Sequence, residues 1–295
     1  MSEAIIRARG LTKGYGGGRG VQGLDLAVDQ GEVFGFLGPN GAGKTTTIRL
    51  LMGFIRPDGG TAEVLGRPCF AQAAVVHGDV GYLPGELALM DDLTGWQFIR
   101  LMADMRELGD LGRARELAER FQLDAGVGLR KMSKGTRQKV GLVCAFMARP
   151  RLLLLDEPTS GLDPLMQNLF IELLLEEKAR GTTVLLSSHL FEEVERTCDR
   201  VAILRAGRLV AVETAASLRR GRVLHFTLAT EQDAAGLAAA LEGAERSGDR
   251  VAVTVTDPAA LPALLARAST FPVVDLEARG QSLEELFLHF YGGEA

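Results

Sequence analysis

Short apolar runs alternate with longer amphipathic stretches through the first 212 residues. "EVFGFLG" (32–38), "DVGYLP" (79–84), "RLLLLDE" (151–157), "TTVLLSS" (182–188) and "RVAILRAG" (200–207) read as strands. Several are apolar almost throughout, as strands buried on both faces of a largely parallel sheet are. Helical spacing fills the intervals at 44–54, 95–108, 112–121, 134–148, 164–180 and 190–199. This alternation predicts an open wound α/β sheet. The "GYGGGRG" run at 14–20 reads as a flexible turn between two N-terminal strands. A smaller rhythm follows: "RVLHFTLA", "RVAVTVT" and "PVVDLE" are strand-like, each succeeded by a helix-like segment. Asp257-Pro258 and the capping box Ser282 to Glu285 read as helix starts. The change of rhythm puts a boundary at 213–221, separating residues 1–212 from a small α+β accessory domain at 213–295.

Composition sharpens that division. The chain has 295 residues, 46% hydrophobic and 24% charged, as in ordinary globular proteins. Residues 1–212 carry 26 acidic and 26 basic side chains, whereas 213–295 carry 12 acidic, 7 basic and no lysine. The whole net charge of −5 therefore belongs to the C-terminal part. That disfavours a nucleic-acid-binding tail, which clustered positive charge would serve, and no nucleic-acid partner is expected. The apolar run at 140–148 falls short of the roughly 18 residues of a membrane span. The N-terminus lacks a secretory signal pattern. Cys69, Cys144 and Cys198 are too dispersed for a disulfide framework or a zinc site. A cytoplasmic chain is expected.

The chemistry concentrates in "GPNGAGKT" at 38–45, after a strand and before a helix. Gly38, Gly41 and Gly43 allow a tight loop whose N–H groups converge on an anion, with the helix N-terminus behind them. Pro39, Asn40, Ala42 and Thr46 complete this phosphate cradle. Lys44 is expected to reach the β- and γ-phosphates and Thr45 to hold Mg2+. No "NKxD" guanine-reading motif follows, which disfavours a GTPase. Asp156 ends a leucine-rich strand as a candidate Mg2+ ligand. Glu157 points the other way, as consecutive strand residues do, and is a candidate general base for an attacking water.

"GPNGAGKT", "SKGTRQ", "LLLLDEPTSGLDP" and "SSH" stand in the order and spacing of an ATP-binding cassette (ABC) ATPase, which residues 1–212 resemble. The "YLPGE" stretch and the tail resemble ATPase subunits of bacterial drug and antibiotic exporters. The resemblance implies a P-loop NTPase fold with a helical subdomain at about 86–150. It also implies ATP and Mg2+ as cofactors, a head-to-tail homodimer and a separate transmembrane permease. Ser133, Lys134, Gly135 and Thr136 would then meet the nucleotide held by the opposite subunit, and Asp163 would contact that subunit. His189 would contact the γ-phosphate and hold Glu157 and water in place. Tyr15 would stack on adenine with Val21 as an apolar neighbour. His77, His225 and His289 have no such context and are expected to be surface or packing residues. Location would be peripheral, on the inner face of the cell membrane, with Leu87, Leu89, Met90, Trp96 and Phe98 in a region that receives the permease. Gly85 departs from the family's glutamine, leaving Glu86 or water as the substitute in sensing Mg2+. Lys134 and Thr136 depart from the usual signature. The alternative class is a soluble ABC ATPase acting on DNA or ribosomes, whose relatives insert coiled coils or zinc modules or carry two cassettes.

Overall fold

The computed structural model describes residues 4–215, 217, 222–255, 257–280, 283–284 and 287. The chain divides into two compact units, Met1–Val212 and Glu213–Ala295.

The first unit holds two sheets. The larger is six-stranded, in the order β10 (Arg208–Thr214), β9 (Arg200–Arg205), β3 (Val33–Leu37), β8 (Thr183–Ser188), β7 (Leu152–Asp156), β6 (Val80–Leu83). From β9 to β6 every pairing is parallel. Every residue of β3, β7 and β8 is buried, which explains the apolar runs that dominate them. Leu37 pairs with Ser188 and Asp156 with Ser187, so the C-terminal ends of β3, β7 and β8 lie level. Open α/β sheets bind ligands at such an edge.

The second sheet is antiparallel, in the order β2 (Gly20–Asp29), β1 (Ala4–Gly14), β4 (Gly59–Val64), β5 (Arg67–Pro68). Its alternating buried residues, among them Ile6, Leu24 and Val28, share a core with Phe34, Phe36 and Ile48. Helix α1 (Lys44–Leu51) follows β3, and α2 (Ala73–Gly78) precedes β6. Helices α3 (Gly95–Asp104) and α4 (Gly112–Arg120) pack against α5 (Lys134–Phe146). Helix α6 (Pro164–Ala179) joins β7 to β8, and α7 (Phe191–Thr197) joins β8 to β9. Among the described residues no helix is long and apolar enough to cross a membrane.

The second unit has a four-stranded antiparallel sheet ordered β12 (Glu245–Ser247), β13 (Arg250–Val255), β11 (Arg222–Leu228), β14 (Val273–Gly280). Helices α8 (Glu231–Ala240) and α9 (Leu261–Ala268) contribute to its core around Phe226, Leu237 and Val253. Asp257 accepts a hydrogen bond from Ala259 N–H, opening a 3-10 turn that runs into α9. Ser282, Glu285 and His289 lie outside the described residues.

Candidate functional site

The cradle begins where β3 ends. Gly41 and Gly43 adopt left-handed φ values of 82° and 107°, which side chains resist. Gly43 occupies the N-cap of α1 without a side-chain cap, leaving the first-turn N–H groups free to meet an anion. A cleft of about 280 Å³ is lined by Tyr15, Arg19, Gly20, Pro39 to Thr46 and Glu157. Lys44 is 6% exposed; its Nζ lies 2.5 Å from Gly38 O, 3.4 Å from Pro39 O and 3.7 Å from Glu157 Oε1. The ammonium therefore stands between the loop carbonyls and the carboxylate.

Asp156 ends β7 and is 1% exposed. Its Oδ1 accepts from Ser187 Oγ at 2.5 Å, while Oδ2 is buried without a partner among the described residues. A buried carboxylate oxygen is costly to leave unpaired. A hard cation with oxygen ligands would answer that cost, so the Asp156 carboxylate fits Mg2+. A Cβ added at Gly85 would lie 3.1 Å from Asp156 Oδ2 and 3.2 Å from its Cγ. Glycine at the usual glutamine position thus lets the backbone lie against this carboxylate. Glu86 is exposed and does not line the cleft.

Glu157 takes a left-handed φ of 51°, uncommon for a residue with a side chain. Its N–H donates to Ser187 O at 3.0 Å. Its Oε2 meets His189 Nδ1, so the carboxylate bridges the Lys44 ammonium and the imidazole at the end of β8. His189 itself is exposed.

The signature residues lie apart from the cleft of their own chain. Ser133 caps α5, accepting from Thr136 N–H at 3.1 Å. Lys134 Nζ donates to Ser160 Oγ at 2.8 Å, and Gly135 packs on the backbone of Gly161. Asp163 caps α6 by accepting from Met166 N–H at 3.0 Å. None of these five residues lines the cleft. The expectation for Val21 needs correction. It is fully buried, out of phase with the alternation of Leu24, Leu26 and Val28 because the pairing of β1 with β2 shifts register between Leu11 and Lys13, and Arg19 and Gly20 line the cleft beside Tyr15.

Sequence reasoning missed three groups. Arg19 was legible in the same glycine-rich run as Tyr15. Gln138, a buried amide on α5, donates to Glu157 O at 3.2 Å and Pro158 O at 2.8 Å; a lone polar residue on an apolar helix face was its only signal. Glu193, buried on α7, accepts from Ser188 Oγ at 2.6 Å and Thr159 Oγ1 at 3.2 Å. Burial pushes its carboxyl up to about 7, against the opposing effect of those two hydroxyls. No local motif announces it.

A profile of the ABC transporter family matches residues 21–160. The chain is 44% identical over 200 residues to an uncharacterized ABC transporter ATP-binding protein of Nostoc sp., covering 64% of this chain but only 58% of that one. It is 36% identical to a daunorubicin resistance ATP-binding protein of Streptomyces coeruleorubidus, covering 100% of this chain and 98% of that one. A solved ATP-binding subunit of an ABC transporter superposes with a TM-score of 0.68 at 33% identity, covering 73% of this chain and 92% of the other.

Proposed function

The chain belongs to the ABC transporter family of ATP-binding proteins, and from that premise we propose that it is the ATP-hydrolysing subunit of a two-component exporter. The observation that carries the hydrolytic reading is the Glu157 carboxylate, held between Lys44 Nζ and His189 Nδ1 at the mouth of the cradle. ATP enters with its phosphates on the N–H groups of the loop and of α1, and Tyr15 stacks on the base. The γ-phosphate draws Lys44 Nζ from the loop carbonyls. Glu157 then orients and deprotonates the attacking water, and His189 keeps that carboxylate aimed. Thr45 and Asp156 would hold Mg2+, which would supply positive charge beside the phosphate oxygens.

The exporter reading is supported by similarity along the full length of both chains to the daunorubicin resistance protein. A separate permease receives this subunit on the inner face of the membrane. Residues 213–295 act as an accessory domain that supports dimerisation or regulates turnover.

The test is purification of the tagged full chain from native membranes after mild crosslinking. A co-purifying polytopic membrane protein is expected. Recovery from the soluble fraction with ribosomes or DNA attached would overturn the exporter reading in favour of a soluble ABC ATPase.

A further inference from the structure

The loop after β7 is gripped at successive residues by hydrogen bonds from its own chain. Glu157 N–H donates to Ser187 O, and the carbonyls of Glu157 and Pro158 both accept from Gln138 Nε2. Thr159 Oγ1 donates to Glu193, and Ser160 Oγ accepts from Lys134 Nζ. A Cβ added at Gly135 would fall 2.3 Å from Gly161 O, so helix and loop touch there as well. Lys134, Gly135 and Gln138 all belong to the start of α5.

Gln138 is the buried member of that set, 2% exposed. A carboxamide has two N–H donors, and here one nitrogen serves two successive carbonyls. One of these belongs to Glu157, whose left-handed backbone persists only because its surroundings hold it. Ser187 fixes the amide side of that residue and Gln138 the carbonyl side.

We infer that Gln138 is a positioning residue that transmits the placement of the α5 N-terminus to the Glu157 carboxylate. The inference rests on the reading of Glu157 as the base. Residues 133–136 line no part of their own cleft, and the family resemblance has them meet a nucleotide held by a second copy of the chain. A shift of α5 on that contact is passed through Gln138 to Glu157 of the first copy. Lys134 adds an exposed, more weakly held tether to the same loop.

The test uses the full-length chain. Gln138→Met keeps the volume and removes both donors. Its affinity for a fluorescent ATP analogue should be unchanged, because Gln138 touches no cradle residue, while kcat should fall on the order of 10²-fold, as misplacement of a catalytic group does. In a Glu157→Gln background the same substitution should cause no further loss, since residues acting through one group are non-additive. An unchanged kcat, or an equal fold-loss in both backgrounds, would overturn the inference. Lys134→Ala provides a surface variant that does not threaten folding. A several-fold loss of kcat that disappears in the Glu157→Gln background supports the linkage, and an absent or additive loss overturns it. Wild-type protein that binds ATP without turning it over would instead sink the hydrolytic reading, before any variant is compared.

Discussion

At the scale of one residue, Glu193 shows how burial alone makes a carboxyl pH-sensitive. Its Oε2 accepts from the Ser188 and Thr159 hydroxyls, and Oε1 has no partner among the described residues. Glu157 opposes its ionisation and His189 favours it, but loss of hydration is the largest effect and lifts the pKa from 4.5 to about 7. Between those values the folded protein binds more protons than the unfolded chain. The contribution to stability is therefore complete below pH 4.5 and is lost as pH rises to about 7. The loss is on the order of 3 kcal/mol. Glu193→Gln carries no titrating group there, whatever constant offset its amide introduces. Urea unfolding of both proteins at several pH values should show their stability difference drifting in favour of the variant up to about pH 7 and level above. A difference independent of pH would show that Glu193 is ionised in the folded protein throughout.

At the scale of elements, the seating of α5 on the sheet decides where its first turn lies. A Cβ at Gly81 in β6 would fall 2.3 Å from Ala145 O on α5 and 2.7 Å from Leu153 Cδ2. At Gly141 on α5 an added Cβ would first meet the side-chain ends of Leu83 and Leu87, at 2.6 to 3.0 Å. A backbone oxygen cannot step aside as a leucine methyl can. Gly81→Ala should therefore cost about 1–3 kcal/mol in chemical denaturation, and more than Gly141→Ala; the reverse ranking would mean that α5 slides freely on β6. Elements of this kind were legible in proportion to the symmetry of their burial. β3, β7 and β8 are buried on both faces and announce themselves as apolar runs. β4 reads "GGTAEV", largely exposed and glycine-led, and α2 has six residues, so neither stands out from loop sequence. The phosphate cradle was legible because its residues are contiguous and its glycines are set by backbone geometry. Gln138 and Glu193 escaped because they act on residues about 20 and 34 positions away, a relation that only the fold creates.

At the scale of the whole molecule, the cleft and the start of α5 face different places. The cleft holds Tyr15, Lys44 and Glu157, while the capped start of α5 rests on the loop from Glu157 to Gly161 and lines no part of that cleft. A helix N-terminus favours anions, so Ser133 and Gly135 suit a phosphate presented by another copy. Charge permits the approach, because residues 1–212 balance 26 acidic against 26 basic groups. With ATP and Mg2+, Glu157→Gln should bind with only residual turnover and elute at twice the chain mass of 31.6 kDa. Adding Ser133→Glu sets a carboxylate against the incoming phosphates, and that double variant should keep its ATP affinity yet elute as a monomer. ATP affinity is retained because each cradle is complete within one chain, whereas dimerisation needs Ser133 from the other. If Glu157→Gln stays monomeric with ATP, or the double variant dimerises equally well, the start of α5 does not meet a nucleotide across copies, and its grip on the Glu157 loop serves a single chain.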